Sequence, residues 1–123
     1  MSVRAIVENY YQLANAGDWD AWCDLFAPGQ VMDEQLAGHI EGLDALREIM
    51  KGFPAMYARF ANVPRHIVVE GDEAMVVSHI SAATHSAARI EADVCNYFLV
   101  SDGLIVYLAN FHDTAPFAPV MSQ

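Results

Sequence analysis

Residues Ile90–Asp113 have the sequence IEADVCNYFLVSDGLIVYLANFHD, and this stretch decides the fold. It predicts two long strands joined by a three-residue hairpin loop at Ser101–Gly103, in which Gly103 supplies the positive φ that closes the turn. Side chains along a strand alternate between the two faces of a sheet. Each predicted strand therefore contributes one set of residues to each face, and both sets are largely apolar.

One face of this hairpin is predicted to line a pocket. Apolar walls with a few convergent polar groups are typical of a small-molecule site. This face carries two carboxamides and an imidazole among apolar residues: Ile90, Ala92, Val94, Asn96, Phe98, Val100, Leu104, Val106, Leu108, Asn110 and His112.

The opposite face of the hairpin must also be covered, because an exposed apolar patch usually marks an interface. Helices on one face of a sheet leave the other face free to bury itself against a second copy of the chain. We therefore expect a homodimer through the outer sheet face. The residues that would form this patch are Cys95, Tyr97, Leu99, Ile105, Tyr107, Ala109 and Phe111, whereas Glu91, Asp93 and Asp113 share the face as solvated residues.

The composition limits the possible classes of protein. The length of 123 residues predicts one domain, and a hydrophobic content of 54% excludes a disordered chain. The net charge of −10 speaks against nucleic acid and anionic membranes as partners. No run of about 18 uninterrupted apolar residues is present, so we expect no transmembrane span.

The cysteines and histidines indicate neither a disulfide nor a metal site. Cys23 and Cys95 are far apart in sequence and the N-terminal residues carry no cleavage cue, so we expect free thiols in the cytoplasm. His79 and His85 would share a strand face but lie about 20 Å apart. Ligands of one metal ion lie about 2 Å from it, so we expect no metal and no cofactor.

The rest of the chain predicts helices first and strands afterwards, which is the pattern of an α+β fold with an antiparallel meander. The residues after the hairpin, Thr114–Gln123, include two prolines and predict an irregular tail. The elements predicted before the hairpin are a helix capped by Ser2 that runs to about Asn15, a short helix at Trp19–Phe26, a short strand at Gln30–Leu36, a loop at Gly38–Gly42, a helix from about Leu43 to Phe60 that Pro54 kinks or breaks, and strands at about Val63–Glu70 and Ala74–His85.

Three segments resemble one superfamily: YYQLANAGDWDAWCDLF (Tyr10–Phe26), GLDALREIM (Gly42–Met50) and VSDGLIVYLANFHD (Val100–Asp113). They are similar to nuclear-transport-factor-2-like proteins, especially the SnoaL-like and ketosteroid isomerase-like branches. The resemblance implies a cystatin-like, cone-shaped α+β barrel, in which three N-terminal helices pack in the concave face of a curved, mostly antiparallel sheet. It implies a single SnoaL-like domain over residues 1–123, with a core at 1–113 and a tail at 114–123.

The resemblance also implies positions for the site residues. By similarity to ketosteroid isomerase, the oxyanion tyrosine falls on Tyr10, the base on Glu34 and the oxyanion acid on Asn96. A slip of one residue in this strand would turn Asp33 inward instead of Glu34. The catalytic histidine and aspartate of SnoaL-like cyclases fall on Asn96 and Asn110. The histidine of scytalone dehydratase falls on His66, in PRHIVV.

Two functions remain open at this point. The first is a cofactor-free isomerase, cyclase or dehydratase acting on a small apolar ketone or polyketide-like substrate, with Glu34 or His66 as the base and Tyr10 and Asn96 as oxyanion donors. The second is a non-catalytic ligand-binding or assembly module, because an asparagine cannot do acid–base chemistry. In both cases we expect these residues to contact the ligand: Asn96, Asn110, His112, Trp22, Phe53, Met56 and Phe98.

Overall fold

A curved six-stranded sheet with helices on one face organises the chain, so the predicted α+β class is confirmed. The computed structural model describes residues 1–121. The elements in chain order are α1 (Val3–Ala16), α2 (Trp19–Cys23), β1 (Phe26–Glu34), β2 (Gly38–Glu41), α3 (Leu43–Lys51), α4 (Phe53–Met56), β3 (Arg59–Glu70), β4 (Glu73–Ala83), β5 (Arg89–Ser101), β6 (Leu104–Phe111), a 3-10 turn (Ala115–Phe117) and α5 (Ala118–Met121).

The strand order in the sheet is β2-β1-β6-β5-β4-β3. Strands β3 to β6 form the predicted antiparallel meander. Strand β1 lies parallel to β6 and is joined to β2 in an antiparallel hairpin. The predicted loop at Gly38–Gly42 is therefore wrong, because Gly38–Glu41 pairs with the end of β1. This hairpin fixes the end of β1 beside β6, where Glu34 lies opposite Asn110.

Helix α1 begins and ends where the sequence predicted. The Ser2 hydroxyl accepts a hydrogen bond from the Ala5 N–H at 3.1 Å, which caps the first turn. Gly17 ends the helix with a φ of +71°, a conformation that glycine adopts without strain. The apolar stripe of the helix is buried against the sheet, and it includes Tyr10 and Tyr11.

The other helical predictions need correction. Helix α2 ends at Cys23, because Phe26 already pairs with β6 as the first residue of β1. The helix predicted from Leu43 to Phe60 ends at Lys51. Pro54, which lacks an N–H, is found in the first turn of the separate short helix α4. None of the helices among residues 1–121 is long and apolar enough to cross a membrane.

The tail is more ordered than the sequence predicted. Residues Ala115–Met121 form the 3-10 turn and α5, and Phe117 is buried. The prediction of an irregular tail is therefore wrong over this segment, while Ser122 and Gln123 lie outside the described residues. Burial of Phe117 brings the chain beyond β6 back against the end of the sheet.

The central hairpin has a shorter turn than predicted. Ser101 pairs with Leu104, so the loop contains only Asp102 and Gly103, with φ values of +52° and +79°. Positive φ at both positions is typical of a type I′ turn. The prediction of a three-residue loop is therefore wrong.

A bulge in β6 restores the predicted pairing of faces between β5 and β6, which the shorter turn shifts by one residue. Val100 pairs with Ile105 but Leu99 pairs with Tyr107, so Val106 is an extra residue in β6. Ile105 is consequently fully buried and does not lie on the outer face as predicted. Beyond the bulge the predicted alternation holds, and Asn110 faces the same side as Asn96.

Candidate functional site

A cavity of about 570 Å³ lies between the helices and the inner face of the sheet. Its volume falls in the range of small-molecule sites. The wall is mostly apolar, with aromatic side chains from three elements and the tail: Trp19, Trp22, Phe53, Phe60 and Phe117. The polar residues that line the cavity are Tyr10, Glu34, Tyr57, Asn62, Asn110 and His112.

Glu34 and His112 form an ion pair in the cavity wall. Glu34 Oε1 lies 2.9 Å from His112 Nε2, and the two side chains are 20% and 2% exposed. Glu34 is the last residue of β1, and it pairs with Asn110 in the parallel ladder between β1 and β6. Because His112 lies two residues beyond Asn110, alternation places its side chain on the same inner face.

Backbone groups complete the hydrogen bonds of this pair. Glu34 Oε2 accepts the N–H of Leu36 at 2.7 Å and of Ala37 at 2.8 Å, both in the turn between β1 and β2. His112 Nδ1 lies 2.8 Å from the Asp113 carbonyl. A carbonyl only accepts, so Nδ1 carries a hydrogen and donates it. The N–H groups of Leu36 and Ala37 therefore hold one oxygen of the Glu34 carboxyl group and His112 Nε2 holds the other, which fixes the pair in the cavity wall.

The neighbouring carboxylate points the other way. Asp33 accepts hydrogen bonds from the Tyr107 hydroxyl at 2.6 Å and pairs with His39 Nδ1 at 2.6 Å on the outer face. Of the two register alternatives, the structure therefore places Glu34 in the cavity.

The two asparagines bond to each other across β5 and β6. Asn110 Nδ2 donates to Asn96 Oδ1 at 3.1 Å. Asn96 Nδ2 in turn donates to the Val76 carbonyl at 3.1 Å and to Ser78 Oγ at 2.9 Å. Only Asn110 lines the cavity, while Asn96 is fully buried in the sheet. The expectation that Asn96 contacts a ligand is therefore wrong, and Asn96 instead orients Asn110.

Two tyrosines supply hydroxyl groups to the cavity. Burial raises the pKa of Tyr10, and the nearby charge of Glu34 raises it further. The same two causes raise the pKa of Tyr57 to about 12. Both phenols therefore keep their protons at neutral pH and remain hydrogen-bond donors.

The remaining predicted site residues fall into two groups. Trp22, Phe53 and Met56 line the cavity. Phe98 does not, because it is fully buried in the core, with its ring centroid 5.0 Å from that of Tyr10.

His66 lies outside the cavity. It is exposed and pairs with Val77, whose side chain is 41% exposed on the outer face. A register shift between Pro64 and His66 interrupts the alternation of β3. The expectation that His66 is a base in the pocket is therefore wrong.

Sequence reasoning missed several lining residues, of which Asn62 is the most informative. The Asn62 N–H donates to Asn15 Oδ1 at 2.7 Å, and Asn15 Nδ2 donates to the Asn62 carbonyl at 2.9 Å. This exchange ties β3 to the end of α1. A single asparagine within the apolar segment FANV was the only signal in the sequence. Among residues 1–121, no group of three or more His, Cys, Asp or Glu side chains could hold a metal ion.

The model of the SnoaL-like domain matches residues 7–108 of this chain. The chain belongs to the SnoaL-like family. No curated protein matches the sequence. The match to the SnoaL-like domain confirms the predicted membership of the nuclear-transport-factor-2-like superfamily. The cavity described above is therefore the pocket of a SnoaL-like domain.

Solved structures with this SnoaL-like fold cover nearly the whole chain. An NTF2-like protein of unknown function from Burkholderia pseudomallei matches with a TM-score of 0.89 and 16% identity, over 100% of both chains. TerC, co-crystallised with polyporic acid, matches with a TM-score of 0.85 and 15% identity, over 98% of both chains. A ketosteroid isomerase-like protein from Catenulispora acidiphila, in complex with trimethylamine, matches with a TM-score of 0.81 and 12% identity, over 96% of this chain and 90% of the other. At these identities the likeness shows the fold.

Proposed function

We propose that this SnoaL-like protein is a cofactor-free proton-transfer enzyme that acts on a small, largely apolar ketone or polyketide-like compound. The observation that carries the proposal is the Glu34–His112 pair in the wall of an apolar cavity. A carboxylate in such a place is shielded from water and faces whatever molecule fills the cavity. The co-crystal of TerC with polyporic acid supports a small-molecule ligand for this fold.

Glu34 is the base in this proposal. Its carboxylate takes a proton from the carbon next to the ligand carbonyl, and the electron pair of the broken C–H bond moves into the carbonyl group to form an enolate. Return of the proton to another carbon of a conjugated enolate gives an isomer. Attack of the enolate carbon on a second carbonyl forms a ring, and the resulting alkoxide takes up the proton from Glu34. His112 is a positioning residue, because its bond to Oε1 holds the carboxylate in the wall.

The enolate oxygen needs hydrogen-bond donors, and the cavity offers three. The phenols of Tyr10 and Tyr57 line it, and so does Trp22, whose buried Nε1 has no hydrogen-bond partner among residues 1–121. Each correctly placed donor contributes about 3 kcal/mol of transition-state stabilisation. The role first expected of Asn96 passes to these groups, because both hydrogens of its amide are already used.

Exchange of the α-protons of 2-tetralone with D₂O, followed by proton NMR, tests the proposal without knowledge of the natural substrate. We expect wild-type protein to accelerate exchange and Glu34→Gln to lose about 100-fold or more, because an amide is not a base. Glu41→Gln, on the outer face, is the matched control and keeps the wild-type rate. Circular dichroism checks that both variants fold. Full exchange activity in Glu34→Gln would exclude Glu34 as the base.

A non-catalytic ligand-binding or assembly module is the second candidate. The hydrogen bonds of Glu34 and His112 favour this candidate. Both carboxyl oxygens of Glu34 and both ring nitrogens of His112 already have protein partners. In that case 2-tetralone binds, as seen by quenching of tryptophan fluorescence, but its protons do not exchange faster than in buffer.

The outer face of the sheet is the proposed interface of a homodimer. Met75, Val77 and Phe111 are 42%, 41% and 53% exposed there, next to the half-buried Tyr97 and Leu99. Two residues of the predicted patch, Ile105 and Ala109, are buried and do not contribute to this area, whereas Met75 and Val77 of β4 were not predicted and do contribute. We expect a dimer in sedimentation at micromolar concentration and a monomer after Phe111→Glu, and a wild-type monomer would contradict this.

Localisation in the cytoplasm stays a prediction.

A further inference from the structure

A second cavity, of about 290 Å³, lies at the end of α1 next to the first. Asn15, Gly17, Ala58 and Arg59 contribute to its wall. Four aromatic residues line both cavities, so a single layer of side chains separates them. We call this layer the aromatic partition; it consists of Trp19, Phe53, Tyr57 and Phe60.

Phe53 is the centre of the aromatic partition. Its ring centroid lies 4.5 Å from that of Trp19 and 5.0 Å from those of both Tyr57 and Phe60. The rings of Trp19 and Phe60 lie 6.2 Å apart. Removal or rotation of Phe53 would therefore open the partition between the other rings.

Phe53 is also the partition residue whose backbone is least anchored. It starts the four-residue helix α4 after Gly52, and this helix has no buried residue and no side-chain cap. By contrast, Phe60 pairs with Ala82 in the sheet, and Trp19 begins α2, whose first turn is capped by the Asp18 side chain. The backbone of Phe53 is consequently less firmly held than the backbones of Phe60 and Trp19.

We propose that the second cavity is an extension of the ligand site and that Phe53 is the residue that closes it. The ligand would have a compact ring system in the main cavity and an unbranched apolar tail that passes the partition when Phe53 rotates. The aromatic rings and the small side chain of Ala58 offer apolar contact to such a tail, while the charged Arg59 is exposed. The inference rests on the proposed ligand-binding role of the main cavity, but it does not require turnover.

Binding of methyl and heptyl 4-hydroxybenzoate tests this inference. Trp19 and Trp22 line the main cavity, so quenching of their fluorescence reports both esters. We expect Phe53→Ala to raise the preference for the heptyl ester over the methyl ester by about tenfold, because the tail no longer displaces a packed ring, while the affinity for the methyl ester changes by less than about threefold. Met50→Ala, a truncation in the wall of the main cavity alone, leaves the preference unchanged.

A second variant fills the extension from the other side. Ala58 is exposed and lines only the second cavity, so Phe53→Ala combined with Ala58→Trp should return the preference to the wild-type value. Phe53→Leu, which keeps an apolar side chain, repeats the measurement if Phe53→Ala unfolds. An unchanged preference in the Phe53 variants, a raised preference in the double variant, or failure of both Phe53 variants to bind the heptyl ester would overturn the inference. These binding measurements do not depend on proton exchange. A negative result here therefore counts against the extension of the ligand site and not against Glu34 as a base.

Discussion

Histidine meets carboxylate on both faces of the sheet, but the two faces differ in how the charges are satisfied. Two histidines of the outer face, His39 and His79, each lie between two carboxylates. His39 bonds to Asp33 and Glu41, and His79 bonds in the same way to residues 91 and 93. The four carboxylates are between 44% and 74% exposed, so water solvates them with or without the imidazole.

On the inner face one histidine meets one carboxylate, away from most of the solvent. The side chain of His112 is only 2% exposed and that of Glu34 is 20% exposed. Solvent screens the outer pairs, whereas the inner charges depend on each other and on three backbone groups. The same residue types meet on both faces, and only burial beside a cavity makes the inner pair a candidate site.

Removal of His112 should have the largest effect on stability. His112→Ala leaves the partly buried charge of Glu34 without its partner and removes the packing of the imidazole against Phe117, whose ring centroid is 4.8 Å away. We expect the free energy of unfolding to fall by about 3 kcal/mol. Urea denaturation followed by circular dichroism measures the loss.

His39→Ala is the matched variant on the outer face, where we expect a much smaller loss because its carboxylates remain solvated. The double variant Glu34→Gln with His112→Ala tests the cause, since it has no unpaired charge and should be more stable than His112→Ala alone. Equal losses for His112→Ala and His39→Ala would show that burial does not distinguish the two faces.

Much of the fold could be predicted because local signals and tertiary structure agree. The cap at Ser2 and the strand alternation of the meander both indicated elements that the structure contains. Strand β2 could not be predicted, since only Ile40 of its four residues is buried. The hairpin Ile90–Asp113 gave the correct face for Asn110 only because the short turn and the bulge shift the register in compensating ways.

The site was predictable as a set of residues but not as an arrangement. Glu34 and His112 were both expected in the pocket, yet their contact joins residues 78 positions apart through the parallel pairing of β1 with β6. Alternation within one strand contains no information on that pairing. His66 was misplaced because its position came from the resemblance alone, whereas a register shift between Pro64 and His66 turns it to the outer face.

The outer histidines should give stability a pH dependence. Hydrogen bonds to Asp33 and then to Glu41 raise the pKa of His39. Hydrogen bonds to Glu91 and then to Asp93 raise the pKa of His79, against the small opposing effect of Arg65. A raised pKa in the folded state means that this stabilisation is complete below the unfolded value of about 6.5 and is lost as the pH rises through the folded value.

The smallest expected effect is therefore a decline of stability above neutral pH that the outer face causes. We expect the free energy of unfolding of the wild type to fall as the pH rises above about 6.5, and to fall less in the double variant His39→Gln with His79→Gln. The acid side has the opposite sign, because hydrogen bonds with His79 hold the pKa values of Glu91 and Asp93 below their usual range, and hydrogen bonds with Tyr107 and then His39 do the same for Asp33. That stabilisation is present above about pH 4.5 and is lost on further acidification. Urea titrations at a series of pH values, at one protein concentration, measure both limbs. If the curves of the wild type and the double variant are parallel above pH 6.5, His39 and His79 contribute nothing to the pH dependence of the free energy of unfolding. The two faces of the sheet then differ even more than their geometry implies.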